Sequence, residues 1–408
     1  MLEVNNQHKK TEIGYIPNDW DIKILGECVI GKPDYGINAP AVEYSDSLPT
    51  YLRITDISDD GHYRKVNPVS VNHSQSSIYF LEKGDIVFAR TGASVGKTYL
   101  YDKSDGRLVF AGFLIRVKPN PNILEPLYLK FYTQTKIYWS WVLANSMRSG
   151  QPGINGKEYS FLPIPLPPTK AEQTAIATAL SDADAFIQSL EKLIVKKRLI
   201  KQGAMQELLK PKEGWVVKKL GEVCIYINDG THHTPRYVNE GIPFYSVENV
   251  TSDNFKHVKF ITKEEHEELI KRCKPERGDI LLTRIGSIGK TKLIDWDVNA
   301  SIYVSLALLK IGDNIDSRYL YMYTKSRQFS LDIENRSLMN AVPQKINMGD
   351  IHSVPISLPP DINEQVRIAK ILSDMDTEIS TLESKLEKYK QIKQGMMQNL
   401  LTGKIRLV

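Results

Sequence analysis

Residues 90–98, Arg90-Thr91-Gly92-Ala93-Ser94-Val95-Gly96-Lys97-Thr98, have the composition of a phosphate-binding loop. Their spacing does not fit one. A nucleotide cradle needs four residues between its glycines so that consecutive amides wrap the phosphates. Three separate Gly92 from Gly96, and only two separate Gly286 from Gly289 in a related stretch, Arg284-Ile285-Gly286-Ser287-Ile288-Gly289-Lys290. A loop that changes length between copies is a hairpin connection. Both copies nevertheless place an arginine before the glycines and a lysine after them. Arg90, Lys97, Arg284 and Lys290 could therefore face a phosphate or a guanine edge. Solvated turn residues account for them equally well.

His232-His233 lies between Asp229-Gly230-Thr231 and Thr234-Pro235-Arg236. Zinc ligation calls for histidines one helical turn apart or for cysteine pairs, and adjacent histidines in a Gly/Pro loop supply neither. They read as surface donors. The matching stretch elsewhere, Lys32-Pro33-Asp34-Tyr35-Gly36-Ile37-Asn38, has no histidine, so no chemistry common to both can depend on one. Loops that are polar and different between copies suit a surface that reads two different targets. No nuclease or methyltransferase constellation is present. Glu264, Glu265, Glu267 and Glu268 read as a solvated helix face.

These loops sit in a chain that repeats itself. Leu166-Pro167-Pro168-Thr169-Lys170-Ala171-Glu172-Gln173 returns as Leu358-Pro359-Pro360-Asp361-Ile362-Asn363-Glu364-Gln365. Over the 44 positions from Leu166 to Leu209, 23 are identical 192 residues later, which is far beyond the unit length of about 20–50 residues in a solenoid. The chain is a tandem pair of whole modules. We divide it into residues 1–165, 166–211, 212–357 and 358–408.

Each module opens on a stretch running into Leu25-Gly26-Glu27 or Leu220-Gly221-Glu222. Strands are expected at 51–57 and 244–250. A turn followed by a buried strand is expected at Gly84-Asp85-Ile86 and Gly278-Asp279-Ile280. Short helices are expected within 125–147 and 316–335. The Pro-rich exits at 163–168 and 355–360 read as extended loops, because proline forbids helix there; Ser357 in place of Pro165 makes the second less rigid. The fold class is α+β, with two similar globules.

Thr169-x-x-Glu172 and Asp361-x-x-Glu364 carry capping-box patterns. Behind them run matched apolar seams: Ile176, Leu180, Ala183, Ile187, Leu190 and Ile194, then Ile368, Leu372, Met375, Ile379, Leu382 and Leu386. A lone stripe would pack on its own globule. Two stripes at one offset favour an intramolecular coiled coil of helices ~40 residues long, about 60 Å at 1.5 Å per residue. Periodicity does not fix its direction; antiparallel pairing would give pseudo-twofold symmetry. Gly203 and Gly395 fall inside both helical patterns, which suggests close approach of another backbone or a local break.

Bulk composition excludes little beyond membrane spans. Hydrophobic residues make up 41% and charged residues 25%, ordinary for a globular protein. Net charge is +5 but evenly spread: Lys/Arg minus Asp/Glu is 18 − 17 for residues 1–165 and 20 − 19 for 212–357. A basic face for nucleic acid must therefore arise from folding. Cys28, Cys224 and Cys273 are too few and scattered for a disulfide framework or zinc knuckle. Met1–Lys10 has no signal-peptide core. A cytoplasmic protein is expected.

In this order, the duplicated Leu-Pro-Pro…Glu-Gln helix starts, the Gly-Asp-Ile…Arg-x-Gly strands and the terminal Leu400-Leu401-Thr402-Gly403-Lys404-Ile405-Arg406 resemble the DNA specificity subunit of Type I restriction-modification systems. The resemblance covers essentially the whole chain. It implies that each globule reads one half of a split DNA target and that an antiparallel coiled coil sets the spacing. It also implies that two methyltransferase (modification) subunits dock on the helices and that restriction subunits join. The chain itself would be non-catalytic, with no metal or cofactor; S-adenosylmethionine, ATP and Mg would belong to the partner subunits. The residues expected to meet DNA are Tyr35, Asn38, Arg53, Arg90, Lys97 and Gln151, then Thr231, His232, His233, Arg236, Arg284, Lys290, Gln344 and Lys345. Two competing readings stay open: an enzyme in which a globule holds a degenerate nuclease or transferase site, and a coiled-coil adaptor whose globules bind proteins.

Overall fold

The computed structural model describes residues 8–147 and 150–407. Positions 1–7 of the amino-terminal stretch read above lie outside the described residues. The chain divides into two units: Met1–Glu191 with Lys385–Val408, and Lys192–Ser384. Each unit thus holds the start or end of both long helices, Lys170–Leu208 and Ile362–Leu400.

Inside the first unit, a four-stranded sheet has the order Asp34–Tyr35, Leu114–Val117, Ile86–Ala89, Thr98–Leu100. The second unit repeats that order with Cys224–Asp229, Leu306–Ile311, Ile280–Thr283, Thr291–Leu293. Each unit adds a second four-stranded sheet containing one parallel pair: Leu108–Phe110 with Thr50–Leu52, and Ile242–Tyr245 with Ser301–Ile302. Ile86–Ala89 and Ile280–Thr283 are buried at every residue, which is why they read as continuous apolar runs. The Gly-Asp-Ile signature is a turn lock. Asp85 accepts from the Glu82 amide at 3.0 Å, and Asp279 from the Glu276 amide at 2.8 Å.

Short helices cover each main sheet at Pro126–Tyr132 and Lys136–Ser146, and at Ser317–Tyr323 and Arg327–Asn335. Hydroxyl pairs tie helix to sheet identically, Thr98 with Thr133 and Thr291 with Thr324, both at 2.7 Å. The glutamine of each Glu-Gln pair is a buried anchor. Gln173 accepts from the Glu125 amide, and Gln365 from the Asp316 amide, both at 2.9 Å, fixing the approach to the following short helix.

The exits are edge strands rather than loops. Pro163–Leu166 pairs antiparallel with Asp21–Ile24, and Pro355–Leu358 with Val216–Lys219. Proline lacks an amide to donate, which an edge strand tolerates. The exchange of Pro165 for Ser357 changes no contact there: Tyr128 and Tyr319 hydroxyls donate to the Pro165 and Ser357 carbonyls at 2.7 and 2.8 Å. The strands expected at 51–57 and 244–250 are shorter, ending at Leu52 and Tyr245. A helical turn at Ile54–Asp56 and a helix at Val247–Ser252 take over. Asp56 and Asn249 explain this, because their side chains accept from the Arg53 and Ser246 amides and close each turn.

The long helices run antiparallel inside each unit. In the first, Asp184 pairs with Lys393 and Glu191 with Lys390. In the second, Lys197 pairs with Glu378 and Lys201 with Asp376. Ile187, Leu190, Ile194 and Ile379 are buried as a seam should be, while Leu382 and Leu386 are only partly buried. The seam begins later than its sequence pattern. Ile176 and Leu180 join the first unit's core with Leu400 and Leu401. Ile368 and Leu372 join the second unit's core with Leu209. Each helix start is therefore globule core first and coiled coil second.

Two expectations are corrected. Both helices pass unbroken through Gly203 and Gly395, and a Cβ added at either would meet nothing within 4 Å, so neither marks a close backbone approach. The first capping box is half formed. Thr169 Oγ1 accepts from the Glu172 amide at 3.2 Å, but the buried Glu172 carboxylate binds Arg406 from the C-terminal tail, with Nη2 to Oε2 at 2.8 Å. The Asp361 side chain accepts from the Asn363 amide at 2.9 Å, and the Glu364 amide donates to the Asp361 backbone carbonyl at 3.1 Å.

Candidate nucleic-acid interface

The arginine that ends each buried strand has the same backbone frame in both units. The Arg90 amide donates to Phe113 at 3.0 Å and its carbonyl accepts from Ile154 at 2.9 Å. The Arg284 amide donates to Ser305 at 2.9 Å and its carbonyl accepts from Ile346 at 3.0 Å. Gly92 donates to the Pro152 carbonyl and Gly286 to the Gln344 carbonyl, which sets Gln151 and Gln344 beside the glycine turns. Lys97 and Lys290 close those turns through their carbonyls, which accept from Ala89 and Thr283. The glycine stretch is thus a hairpin connection, as its changing length requires, and it gathers arginine, lysine and glutamine in each unit.

The side chains then diverge. Arg90 lies over the Tyr35 ring, 4.9 Å from its centroid, and the Tyr35 hydroxyl accepts from the Gly156 amide at 3.0 Å. A guanidinium held by its flat face keeps its in-plane N–H groups for a ligand. Among the described residues, none of those groups has an acceptor. Arg284 is tied down instead. Its Nη1 donates to Asp229 and to the Val304 carbonyl, both at 3.1 Å, and its side chain is 10% exposed. Arg284 Nε is buried without a partner.

Tyr35 and Asp229 hold the same place. Each precedes a glycine that only glycine fits: a Cβ on Gly36 would lie 2.2 Å from the Ala111 carbonyl oxygen, and one on Gly230 2.0 Å from that of Ile302. One unit uses the position to stack its arginine and the other to neutralise it. Asp229 is 5% exposed and also binds Arg272 at 2.6 Å and His232 at 2.9 Å. Both of those side chains reach solvent, at 60% and 62% exposure, on the rim of a cavity of ≈ 570 Å³. Arg272 was not legible as a site residue. It lies 43 positions from Asp229, just past the helix Lys263–Leu269, in a charge-rich run with no motif. His233 bonds Thr231 Oγ1 at 2.7 Å and faces Glu265 at 3.4 Å, so the adjacent histidines are oriented surface donors. Among the described residues, no group of three or more His, Cys, Asp or Glu could hold a metal ion.

The remaining candidates separate. Asn38, Gln151, Arg236, Lys290 and Lys345 are exposed. Gln344 is exposed too, but its Nε2 donates to the Met339 carbonyl at 3.1 Å. Thr231 is buried and orients His233. Arg53 lies apart from the Arg90 patch, forked onto Asp56 at 3.0 and 2.7 Å. Lys97, its side chain 20% exposed, pairs with Asp59 at 2.7 Å, an acid 86% exposed, so only the carboxylate half of the pair stands open to water.

With this geometry in place, relatives are informative. The family model described as Type I restriction modification DNA specificity domain matches residues 46–197 and 212–394. A putative type I restriction enzyme MjaX specificity subunit from Methanocaldococcus jannaschii is 27% identical, covering 98% of this chain and 96% of its own. The MjaVIII specificity subunit of the same organism is 26% identical over 96% and 94%. Among solved structures, the Type I S subunit from M. genitalium aligns at TM-score 0.61 and 16% identity over 98% of both chains. The HsdS subunit from Thermoanaerobacter tengcongensis aligns at 0.52 and 19%, over 96% of this chain and 98% of that one. At such identities the two structures establish shared fold alone.

Proposed function

We propose, from the premise that this chain belongs to the Type I restriction-modification DNA specificity family, that its two units read two different halves of one split DNA target. The observation that carries this is the matched backbone frame with unmatched side chains. Arg90 stacked on Tyr35 offers a guanidinium whose fork suits the O6 and N7 of guanine. At the same place, Asp229 withdraws Arg284 and presents Arg272 and His232 instead. Two copies of one reading head with different contact groups are what an asymmetric target needs. The exposed Asn38, Gln151, Arg236, Lys290 and Lys345, with Lys97, would supply phosphate and sugar contacts that position the duplex. Half-sites about one helical turn apart would let both units meet one face of the duplex.

The chain contributes recognition and no catalysis in this reading. Modification subunits dock along the long helices, where exposed Val195, Leu199 and Ile200 are apolar surface that a partner helix would cover. S-adenosylmethionine, ATP and Mg serve those partners. The test is to map methylated adenines in the source genome with and without this gene. A two-part motif that loses its methylation when the gene is deleted supports the reading. An unchanged methylation map contradicts it.

A further inference from the structure

The two units treat one region differently. In the first, a hairpin pairing His8–Thr11 with Gly14–Pro17 lies against the globule, with Ile16 2% exposed and Ile13 packed on the core. Glu12 and Ile13 sit beside Ile137, Trp141 and Pro163. Beneath them Tyr132 is fully buried, its hydroxyl donating to the Pro163 carbonyl at 2.6 Å. The second unit has no residues to spare for such a hairpin, because its chain arrives directly from the first long helix through Pro211–Gly214 into the strand Val216–Lys219.

Two landmarks align the units here. The hydroxyl pairs Thr98–Thr133 and Thr291–Thr324 match Tyr132 with Tyr323 and Ile137 with Gln328. The strands Pro163–Leu166 and Pro355–Leu358 match Pro163 with Pro355. Where the first unit seats its hairpin, the second has an open groove of ≈ 630 Å³, lined by Gln328, Pro355 and Tyr323 and floored by Met205, Leu209 and Pro211. Its rim carries Lys210, Lys325 and Arg327. The acid there, Asp332, is already paired with Arg336 at 3.1 Å. Lys325 and Lys210 replace Gln134 and Thr402 of the first unit, so the open groove is the more basic of the two. The Lys325 ammonium is pushed down to about 8 by loss of water around it and by neighbouring Lys292, Lys290 and Lys201. The loss of water is the larger cause, and the Nζ donates to the Thr291 carbonyl at 2.6 Å.

We propose that this groove seats a hairpin turn of the modification subunit, carrying an acidic residue beside a branched aliphatic one as Glu12 stands beside Ile13 in the turn between His8–Thr11 and Gly14–Pro17. The inference rests on the function proposed above for the choice of partner. The duplicated unit supplies the precedent, since it is the hairpin turn Glu12-Ile13 that lies against this surface there. The rim charge selects an acidic one, and the apolar floor suits a side chain better than a phosphate backbone. The groove shares no residue with the candidate DNA contacts.

The test uses the full chain assembled with its own modification subunits, with a photo-crosslinking benzoylphenylalanine at Gln328 or, as control, at Ser140. The Ser140 probe lies in the first unit's cleft with Glu12 and Ile13 and should crosslink within the chain to residues 8–17. The Gln328 probe should crosslink to one acidic-aliphatic segment of the modification subunit. The double variant Lys325→Glu/Arg327→Glu should cut that yield at least tenfold while the Ser140 crosslink persists. A complex that assembles while position 328 crosslinks only to DNA, to a second copy or to nothing overturns the groove proposal alone. A wild-type chain that binds no modification subunit overturns both this inference and the function on which it rests.

Discussion

Asp184 on the first long helix accepts an ion pair from Lys393 on the second at 2.5 Å, with both side chains more than four-fifths buried. Add 192 to the first number and subtract it from the second, and the result is Asp376 with Lys201, a pair the other unit also forms. Glu191 with Lys390 at 2.8 Å maps in the same way onto Glu383 with Arg198 at 2.6 Å. Antiparallel helices from a duplicated sequence make each contact twice with the partners exchanged. Every such pair therefore specifies direction, because parallel helices would not bring these residues level.

The exchange should be measurable. Lys393→Asp sets two acids face to face in a largely buried pair and should cost about 3 kcal/mol. Adding Asp184→Lys should recover most of the loss in denaturant unfolding. Equal single and double losses would mean that the pair carries no coupling.

Gly203→Ala and Gly395→Ala should each stabilise the chain by up to about 1 kcal/mol, since both glycines lie in continuous helix with open space at the Cβ position. Thermal unfolding reads this directly. A destabilised alanine variant would show that the glycines serve a contact absent from the chain on its own.

Arg90 and Arg284 should part company under substitution. Arg90→Ala should leave stability within about 0.5 kcal/mol, as for exposed positions generally, and weaken or relax recognition at one half-site. Arg284→Ala removes a charge from a buried carboxylate and should cost about 2 kcal/mol, because Arg272 and His232 remain as partial compensation. Denaturant unfolding and DNA binding to half-site variants separate the two outcomes. Similar stability losses for both would contradict the stacked-versus-buried distinction.

Lys325 should acylate ahead of other exposed lysines at neutral pH. Its neutral form accumulates as pH rises through about 8, whereas an ordinary lysine stays charged until above about 10. Mass spectrometry of a pulse-labelled chain between pH 7 and 9 gives the midpoint. A midpoint near 10 would contradict the desolvation of this ammonium.

Much of this architecture was legible because it was written twice. The glutamines of the Glu-Gln pairs and the Gly-Asp-Ile turns recur, and each does the same job in both units. Contacts between residues distant in sequence could not be read. Arg272 meets Asp229 only after the helix Lys263–Leu269 has folded over, and Arg406 takes Glu172 from 234 positions away. The side-chain frame of the reading heads was hidden for the same reason: whether an arginine is free or neutralised depends on what stands at Tyr35 or Asp229. The prolines of the exits misled because they forbid helix and say nothing against an edge strand.

In the function proposed above, each unit reads its own half-site. The direct measurement replaces residues 217–357 with the second unit of another family member and maps methylated adenines in cells carrying the matching modification subunits. One half of the motif should change, and the other half should persist unaltered. A motif changed in both halves, or in neither, would contradict separate reading of the two half-sites.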